Sequence, residues 1–167
     1  MKALLTKYWQ GLPDFDWSHI LLRLPLAAMF IQQGMAKLPF DPAAGAGVGL
    51  PGLAWFVVVA GELGAGFGLL VGGVLSLYKI RDLPFAAEFG DLLTRLSGIT
   101  MACIMTGIIW VILKPQSLWL FITTDYLHFS LWVGGVYFAL RGNWAVATRK
   151  KQLPWAAAQS AQVHEAR

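Results

Sequence analysis

One acidic residue interrupts the most apolar stretch of this chain. Between Leu53 and Tyr78 the only charged side chain is Glu62. A carboxylate at low dielectric is costly unless it pairs with a cation or takes up a proton. Lys37, which ends the preceding apolar stretch, is the natural cation to pair with it. Glu62 therefore predicts a functional site inside a membrane.

A second pair of ionisable residues lies in the last apolar stretch. Asp125 and His128 are three residues apart, a spacing that puts both on one face of a helix. An imidazole beside a carboxylate is suited to proton exchange. We therefore predict that Glu62 and His128 are catalytic, and that they exchange protons with a quinone or another small polar-headed molecule. The residues predicted to bind that molecule are Gln32, Gln33, Lys37, Trp55, Gly66, Asp125 and Trp132.

Each of these groups also has a structural interpretation. Glu62 and Lys37 can form an ion pair that only holds two helices together. Asp125 can be an interfacial residue, and His128 a hydrogen-bonded residue of the core. On this alternative the chain is a non-catalytic membrane scaffold or assembly factor.

The composition indicates an integral membrane protein. Hydrophobic residues make up 57% of the chain and charged residues 13%, whereas about a quarter of the residues of a soluble domain are charged. The lipid bilayer is therefore the first predicted partner. The net charge of +4 is not arranged as a basic stripe with interleaved aromatics, so nucleic acid is not predicted as a partner.

No metal or haem site is predicted, which leaves a quinone as the one cofactor that the residues suggest. One membrane histidine and two separated acids do not make a recognisable set of metal ligands. His19 and His164 lie outside the apolar stretches, which argues against a bis-histidine haem. The lone cysteine, Cys103, argues against an intrachain disulfide and is predicted to be a buried, small apolar residue.

The predicted fold class is all-α, an integral membrane four-helix bundle with short interfacial helices. A helix rises about 1.5 Å per residue, so a stretch of roughly 20 apolar residues can cross the hydrocarbon core. The spans are predicted at 20–38, 53–78, 96–113 and 118–140. The connecting parts are an N-terminal interfacial helix and entry (1–19), a surface helix (79–95) and a cytoplasmic C-terminal tail (141–167).

Basic residues predict the orientation of the spans. With four spans, every one of the 13 Lys and Arg residues except Lys37 and Lys114 falls on the side of the two termini. The positive-inside rule then predicts a multi-pass protein of the bacterial cytoplasmic (inner) membrane with both termini cytoplasmic. Arg23 and Lys37 are predicted to snorkel towards headgroups at opposite ends of the first span.

Glycines in the second span predict close helix packing. Gly61, Gly64, Gly68 and Gly72 form a small-xxx-small ridge against which another helix can pack. Trp55, Val58, Glu62, Gly66 and Gly73 form a different stripe, predicted to face the interior of the bundle.

The first two spans resemble the DoxX family of small four-helix bacterial membrane proteins. The resemblance is carried by LLRLPLAAMFIQQGMAKL (Leu21–Leu38) and LPGLAWFVVVAGELGAGFGLLVGG (Leu50–Gly73), and it extends over 21–140. The family's pattern has an arginine opening the first span, a Gly-x-x-Lys at its end, a glutamate followed by glycines, and a Thr-Arg pair. These features fall on Arg23, Gly34–Lys37, Glu62 with Gly66 and Gly72, and Thr94-Arg95.

The resemblance implies a link to membrane redox systems. Relatives in that family are associated with thiosulfate:quinone oxidoreductase and with oxidative-stress complexes. The chain is therefore expected to be a quinone-linked oxidoreductase subunit that handles a quinone or a small sulfur-type substrate near Glu62. A partner redox subunit and a homo-oligomer are the protein partners expected. A small-solute transporter is a weaker alternative, because four spans contain no inverted repeat.

Overall fold

The structure, a computed structural model, describes residues 18–75 and 85–143, and these residues form helices and connecting turns without strands. The helices are α1 (Ser18–Met35), α2 (Pro42–Gly47), α3 (Gly52–Leu75), α4 (Ala86–Gly107), α5 (Leu118–Thr124) and α6 (Tyr126–Arg141), with a π-helical segment, Ile108–Leu113, continuing α4. The predicted N-terminal interfacial helix, the first part of the surface helix and the C-terminal tail lie outside the described residues, apart from 18–19 and 141–143.

Among the described residues, two helices are long and apolar enough to cross a membrane. They are α3, Gly52–Leu75, with 24 residues, and α4 with its π-helical continuation, Ala86–Leu113, with 28 residues. At about 1.5 Å per residue both exceed the roughly 30 Å of a hydrocarbon core. The apolar part of α1, Ile20–Met35, is shorter.

The helix α4 runs without a break through the predicted boundary between a surface helix and a third span. The helix begins after Phe85, whose left-handed φ of 71° marks the turn into it. An ion pair of 2.8 Å joins Arg95 Nε to Asp91 one turn earlier, so charged residues support the helix across residue 95. The helix ends at Lys114, which has a φ of 45° and precedes Pro115.

The fourth apolar stretch, predicted as one span, is two helices with a break at Asp125. The hydroxyl groups of Thr123 and Thr124 donate back to carbonyls three and four residues earlier, which competes with regular helix continuation. Asp125 has non-helical φ and ψ of −123° and 60°, and its carboxylate accepts the backbone N–H of His128. Asp125 is therefore the N-cap of α6.

The long helices pack side by side in the order α1, α3, α4, α6. Extensive contacts join α1 to α3, α3 to α4, and α4 to α6, whereas α1 and α6 meet at few points. Buried apolar side chains from all four helices fill the space between them, and α5 adds Phe121. Among the fully buried residues are Ala27, Leu69, Met101 and Phe138.

Glycines set the distances between these helices. Gly61, Gly68 and Gly72 of the predicted ridge lie against α4, where an added Cβ would meet side chains of Ile104, Ser97 and Thr94 respectively. Gly64, predicted in the same ridge, instead faces outward with no atom near it. Gly66 packs on the α1 backbone at Ala27, and Gly34 of α1 packs on Leu63.

A close helix crossing joins α4 to α6. A Cβ on Gly98 would overlap the backbone nitrogen of Ala139 and would come within 2.7 Å of the carbonyl oxygen of Gly135. Since the atoms in the way are backbone atoms, neither helix can relieve the contact by a change of rotamer. Gly98 and Gly135 therefore determine how closely these two helices approach.

Large apolar side chains cover the outward faces of the helices. Leu21, Leu53, Trp119 and Leu140 are each at least 73% exposed. Cys103, predicted to be buried, is exposed on α4. The spacing of apolar residues does not separate an inward from an outward position when both faces of a helix are apolar.

Candidate functional site

The buried carboxylate of α3 is paired with the lysine that follows α1. Lys37 Nζ lies 2.9 Å from Glu62 Oε1 and 2.7 Å from Oε2. Glu62 is 1% exposed, while the side chain of Lys37 keeps 19% of its surface. The α1–α3 packing at Gly34 and Gly66 brings the two side chains together.

All three N–H donors of the Lys37 ammonium group have acceptors. Two point to the oxygens of Glu62, and the third to the backbone oxygen of Gln33 at 3.0 Å. The ring of Trp55 lies beside the same group, with Nζ 5.8 Å from the ring centroid. Within the described chain, the indole Nε1 of Trp55 is buried without a hydrogen-bond acceptor.

Asp125 and His128 form a second pair at the break between α5 and α6. His128 Nδ1 lies 2.8 Å from Asp125 Oδ1 and 2.7 Å from Oδ2. Both side chains are partly exposed. The cap geometry thus orients the imidazole through Nδ1 and leaves Nε2 as the ring nitrogen for any further proton exchange.

Hydrogen bonds and ring contacts join the predicted pocket residues in separate sets. Glu62, Lys37 and Trp55 form one group, and Asp125 with His128 forms another. The side chains of Gln32 and Gln33 are exposed on α1, and Gly66 is a packing contact with α1. Trp132 donates its indole N–H to Thr106 Oγ1 at 3.0 Å, across the α4–α6 interface. Among the described residues, no group of three or more His, Cys, Asp and Glu could hold a metal ion.

Arg23, predicted to snorkel towards headgroups, is instead buried at the far end of α1, with 5% of its surface exposed. Its Nη1 donates to Leu69 O at 2.6 Å and to Thr94 Oγ1 at 3.1 Å, and its Nη2 donates to Asn143 Oδ1 at 2.7 Å. The guanidinium also stacks 4.8 Å from the centroid of the Phe138 ring. Multiple neutral acceptors and an aromatic face compensate the lost hydration of a cation, which explains why Arg23 stays inside.

Asn143 is the residue of this network that sequence reasoning missed. Its Oδ1 accepts from Arg23 and Thr94, its Nδ2 donates to Gly72 O at 3.1 Å, and its backbone N–H donates to Asp91 Oδ1 at 2.6 Å. Asn143 thereby joins α1, α3 and α4 just beyond the end of α6. Its only sequence signal is a Gly-Asn pair at the predicted helix end, a common turn sequence.

Arg95 secures the same end of α6. Its guanidinium donates to the carbonyl oxygens of Ala139, Leu140 and Arg141 at 2.7–3.3 Å, and it is oriented by its ion pair with Asp91. These carbonyls belong to the last turn of α6, where the helix has no backbone N–H groups left to donate to them. Thr94 and Arg95, singled out as a pair in the sequence, thus stabilise the helix bundle through two separate sets of bonds.

Among the described residues, the ionisable side chains considered above lie in three groups: the Lys37–Glu62 pair with Trp55, the Asp125–His128 pair, and the Arg23–Thr94–Asn143 network with Asp91 and Arg95. Comparison with known proteins adds no assignment to this geometry. No protein-family model matches the chain, and neither a curated protein nor a solved structure matches it.

Proposed function

We propose that this chain is a four-helix protein of the bacterial cytoplasmic membrane that acts as a non-catalytic scaffold or assembly subunit. In this proposal α1, α3, α4 with its continuation, and α5 with α6 are the four spans. The polar pairs between them fix the relative positions of the helices. The observation that carries the proposal concerns the most buried ion pair, Lys37 and Glu62. Every N–H donor of its ammonium group already has a hydrogen-bond acceptor.

The outward faces support membrane insertion. Soluble monomers rarely expose contiguous apolar patches larger than a few hundred Å². Here α3 alone exposes Leu53, Phe56, Val57, Phe67, Val71 and Val74. Lipid is the environment in which such a surface carries no cost.

The positions of the charges support both termini being cytoplasmic. Hydrogen bonds group Arg23, Arg95 and the end of α6 at one end of the bundle. Lys37 and Lys114 belong to the loops at the other end of α1 and α4. An excess of basic residues at one end is the pattern expected of the cytoplasmic side.

The Lys37–Glu62 pair supports a structural role more than a ligand site. With three acceptors for three donors, the ammonium group has no N–H left for a ligand. The carboxylate, 1% exposed, offers almost no surface to one. Proton exchange with a bound molecule would require the pair to open first.

A quinone-linked redox subunit is the second candidate, favoured by two observations. The Asp125 carboxylate bonds Nδ1 of His128 and so fixes the direction of Nε2. The indole N–H of Trp55 is buried and has no acceptor among the residues that the structure describes. Either group could contact the carbonyl oxygen of a quinone. The sequence resemblance to the DoxX family points the same way.

Replacing both members of the saturated pair by methionine tests the two candidates against each other. We expect Lys37→Met/Glu62→Met to retain as much quinone per chain as the wild type after purification with native lipids, measured by mass spectrometry. We also expect both proteins to migrate as complexes of the same size in native electrophoresis. Loss of quinone from a double variant that melts at the wild-type temperature would overturn the scaffold proposal in favour of the redox subunit. His128→Gln, measured in parallel, shows whether the second pair holds the molecule instead.

Cysteine labelling tests the topology. In a Cys103→Ala background, Gly47→Cys, at the end of the short helix α2, and Gln116→Cys, in the turn before α5, are exposed at one end, and Phe85→Cys lies just before α4 at the other end. We expect a membrane-impermeant maleimide to label the first two in intact spheroplasts, and the third only after permeabilisation. Equal labelling of all three in intact spheroplasts would contradict the four-span arrangement.

A further inference from the structure

The indole N–H of Trp55 is a buried donor that the polar pairs leave unused. Trp55 is 9% exposed, and its Nε1 has no hydrogen-bond acceptor among the residues that the structure describes. A buried N–H without an acceptor costs free energy comparable to that of a lost hydrogen bond, so folded proteins almost always supply one. The described ranges end at Ser18, Leu75, Phe85 and Asn143, at the opposite end of the helices from Trp55. The polar neighbours of the indole are therefore the groups around Lys37 and Glu62.

Two contacts define the surroundings of the indole ring. The Lys37 ammonium nitrogen lies 5.8 Å from the ring centroid and 2.7 Å from Glu62 Oε2, so the ring and the carboxylate neighbour the same cation. The short helix α2 packs on Trp55 at Gly45, where an added Cβ would come within 2.6 Å of Trp55 Cβ. The indole therefore lies in a polar corner that α2, α3 and the residues following α1 enclose.

The charge and lone pairs of Glu62 determine what kind of molecule suits this corner. Each oxygen of the carboxylate accepts one N–H from Lys37, and each has a second lone-pair site. A molecule beside both groups must therefore accept from Trp55 and donate to Glu62. Water does both, whereas the carbonyl oxygen of a quinone or of a lipid ester only accepts and would face a negative charge. Water is also the smallest such molecule, which suits residues that are 9% and 1% exposed.

We propose that a buried water molecule binds in this corner, where it accepts from Trp55 Nε1 and donates to the Glu62 carboxylate. Buried waters characteristically satisfy polar groups that would otherwise have no partner. The water gives the carboxylate a donor besides Lys37, and it makes Trp55 part of the polar link between α1 and α3. It adds a ligand to the pair on which the proposed scaffold role depends, but the site itself does not require that role.

Nuclear magnetic resonance of the full chain tests the site, with water itself as the probe. The protein is deuterated and carries ¹⁵N in the indoles of its eight tryptophans, and the Trp55 peak is the one that Trp55→Phe removes. A rotating-frame Overhauser cross-peak between Trp55 Hε1 and water, opposite in sign to a chemical-exchange peak, reports a bound water. We expect the wild type to show this cross-peak.

Two neutral double variants provide the matched comparison, and neither contains the ammonium group, whose exchanging protons could relay magnetisation from water. Lys37→Met/Glu62→Gln keeps an acceptor oxygen at position 62 and should retain the cross-peak. Lys37→Met/Glu62→Met removes that oxygen and should lose it. The indole peak of Trp132, which donates to Thr106, should keep its position in both variants and so shows that the fold is intact. If either variant fails to fold, the wild-type build-up decides, because a direct cross-peak grows from zero mixing time and a relayed one lags.

The outcomes separate the water site from the scaffold role. Absence of the cross-peak from the wild type, or a lag in its build-up, would overturn the water site. So would loss from both double variants, which would identify Lys37 as a relay, or retention in both, since Glu62 would then not hold the molecule. All these results leave the scaffold role standing, because quinone retention and complex size test that role. A cross-peak from Hε1 to the protons of a co-purified quinone would instead overturn both proposals.

Discussion

Replacing Lys37 by methionine is expected to destabilise the protein by about 3–5 kcal/mol, because the change leaves the Glu62 carboxylate buried without a cation. Glu62 is 1% exposed and has both oxygens within 2.9 Å of the ammonium nitrogen. The measurement is the free energy of unfolding, from a denaturing-detergent titration in mixed micelles followed by circular dichroism.

The double variant is the control for this prediction. Lys37→Met/Glu62→Met removes both charges and replaces them with side chains of similar length, so it should recover most of the lost stability. A single variant as stable as the wild type would show that Glu62 is neutral or paired elsewhere. A double variant as unstable as Lys37→Met would show that the loss comes from packing against Trp55 rather than from an unpaired charge.

Replacing Gly98 by alanine is expected to cost about 3 kcal/mol or more, a large effect for one methyl group. The added Cβ would overlap the backbone of α6 at Ala139 and come within 2.7 Å of Gly135 O. The two helices would have to move apart, and with them the contacts of Met101 and Phe138 in the core between them. The same detergent titration measures this effect.

Gly64→Ala is the matched control on the neighbouring helix. Its Cβ would meet nothing within 4 Å. Alanine is the better helix former by about 0.5–1 kcal/mol, so this variant should be neutral or slightly more stable. If Gly98→Ala were equally harmless, the α4–α6 crossing would have to be wider than the structure gives it.

The two predictions concern the same feature of the chain, which is how a very apolar sequence fixes one helix arrangement. Between apolar helices in lipid, hydrophobicity does not select a partner. Close glycine crossings and buried polar bonds do select one. The Lys37–Glu62 pair secures α1 to α3 at one end, and the Asn143 network secures α1, α3 and α4 at the other.

Local sequence was sufficient to predict part of this arrangement. Apolar length predicted α3 closely, as 53–78 against Gly52–Leu75. Helical periodicity assigned Glu62 and Gly66 to one face of α3 and Gly61, Gly68 and Gly72 to another, and the structure has these faces against α1 and α4. Depth within the spans suggested Lys37 as the partner of Glu62, and spacing alone suggested Asp125 with His128.

Local sequence was insufficient to distinguish a residue that faces lipid from one that faces another helix. Hydropathy gives the same value to a residue that faces lipid and to one that faces a helix, so Gly64 and Cys103 were predicted inside although both are exposed. A run of charges at 88–95 was predicted to lie outside the span, but its Asp91–Arg95 pair belongs to the continuous helix α4.

The sequence by itself determined that the chain is helical and strongly apolar, and where its rare charges lie, because those properties depend on residue type and spacing within one segment. The tertiary structure alone decided that Arg23 is buried rather than snorkelling, that Gly98 meets Gly135, and that α1 and α6 meet at few points. Each of these depends on which helices are neighbours and how closely they cross, and residues separated by 37 or 120 positions contribute to one contact. No local pattern contains that information, because it arises only when the backbones are packed together.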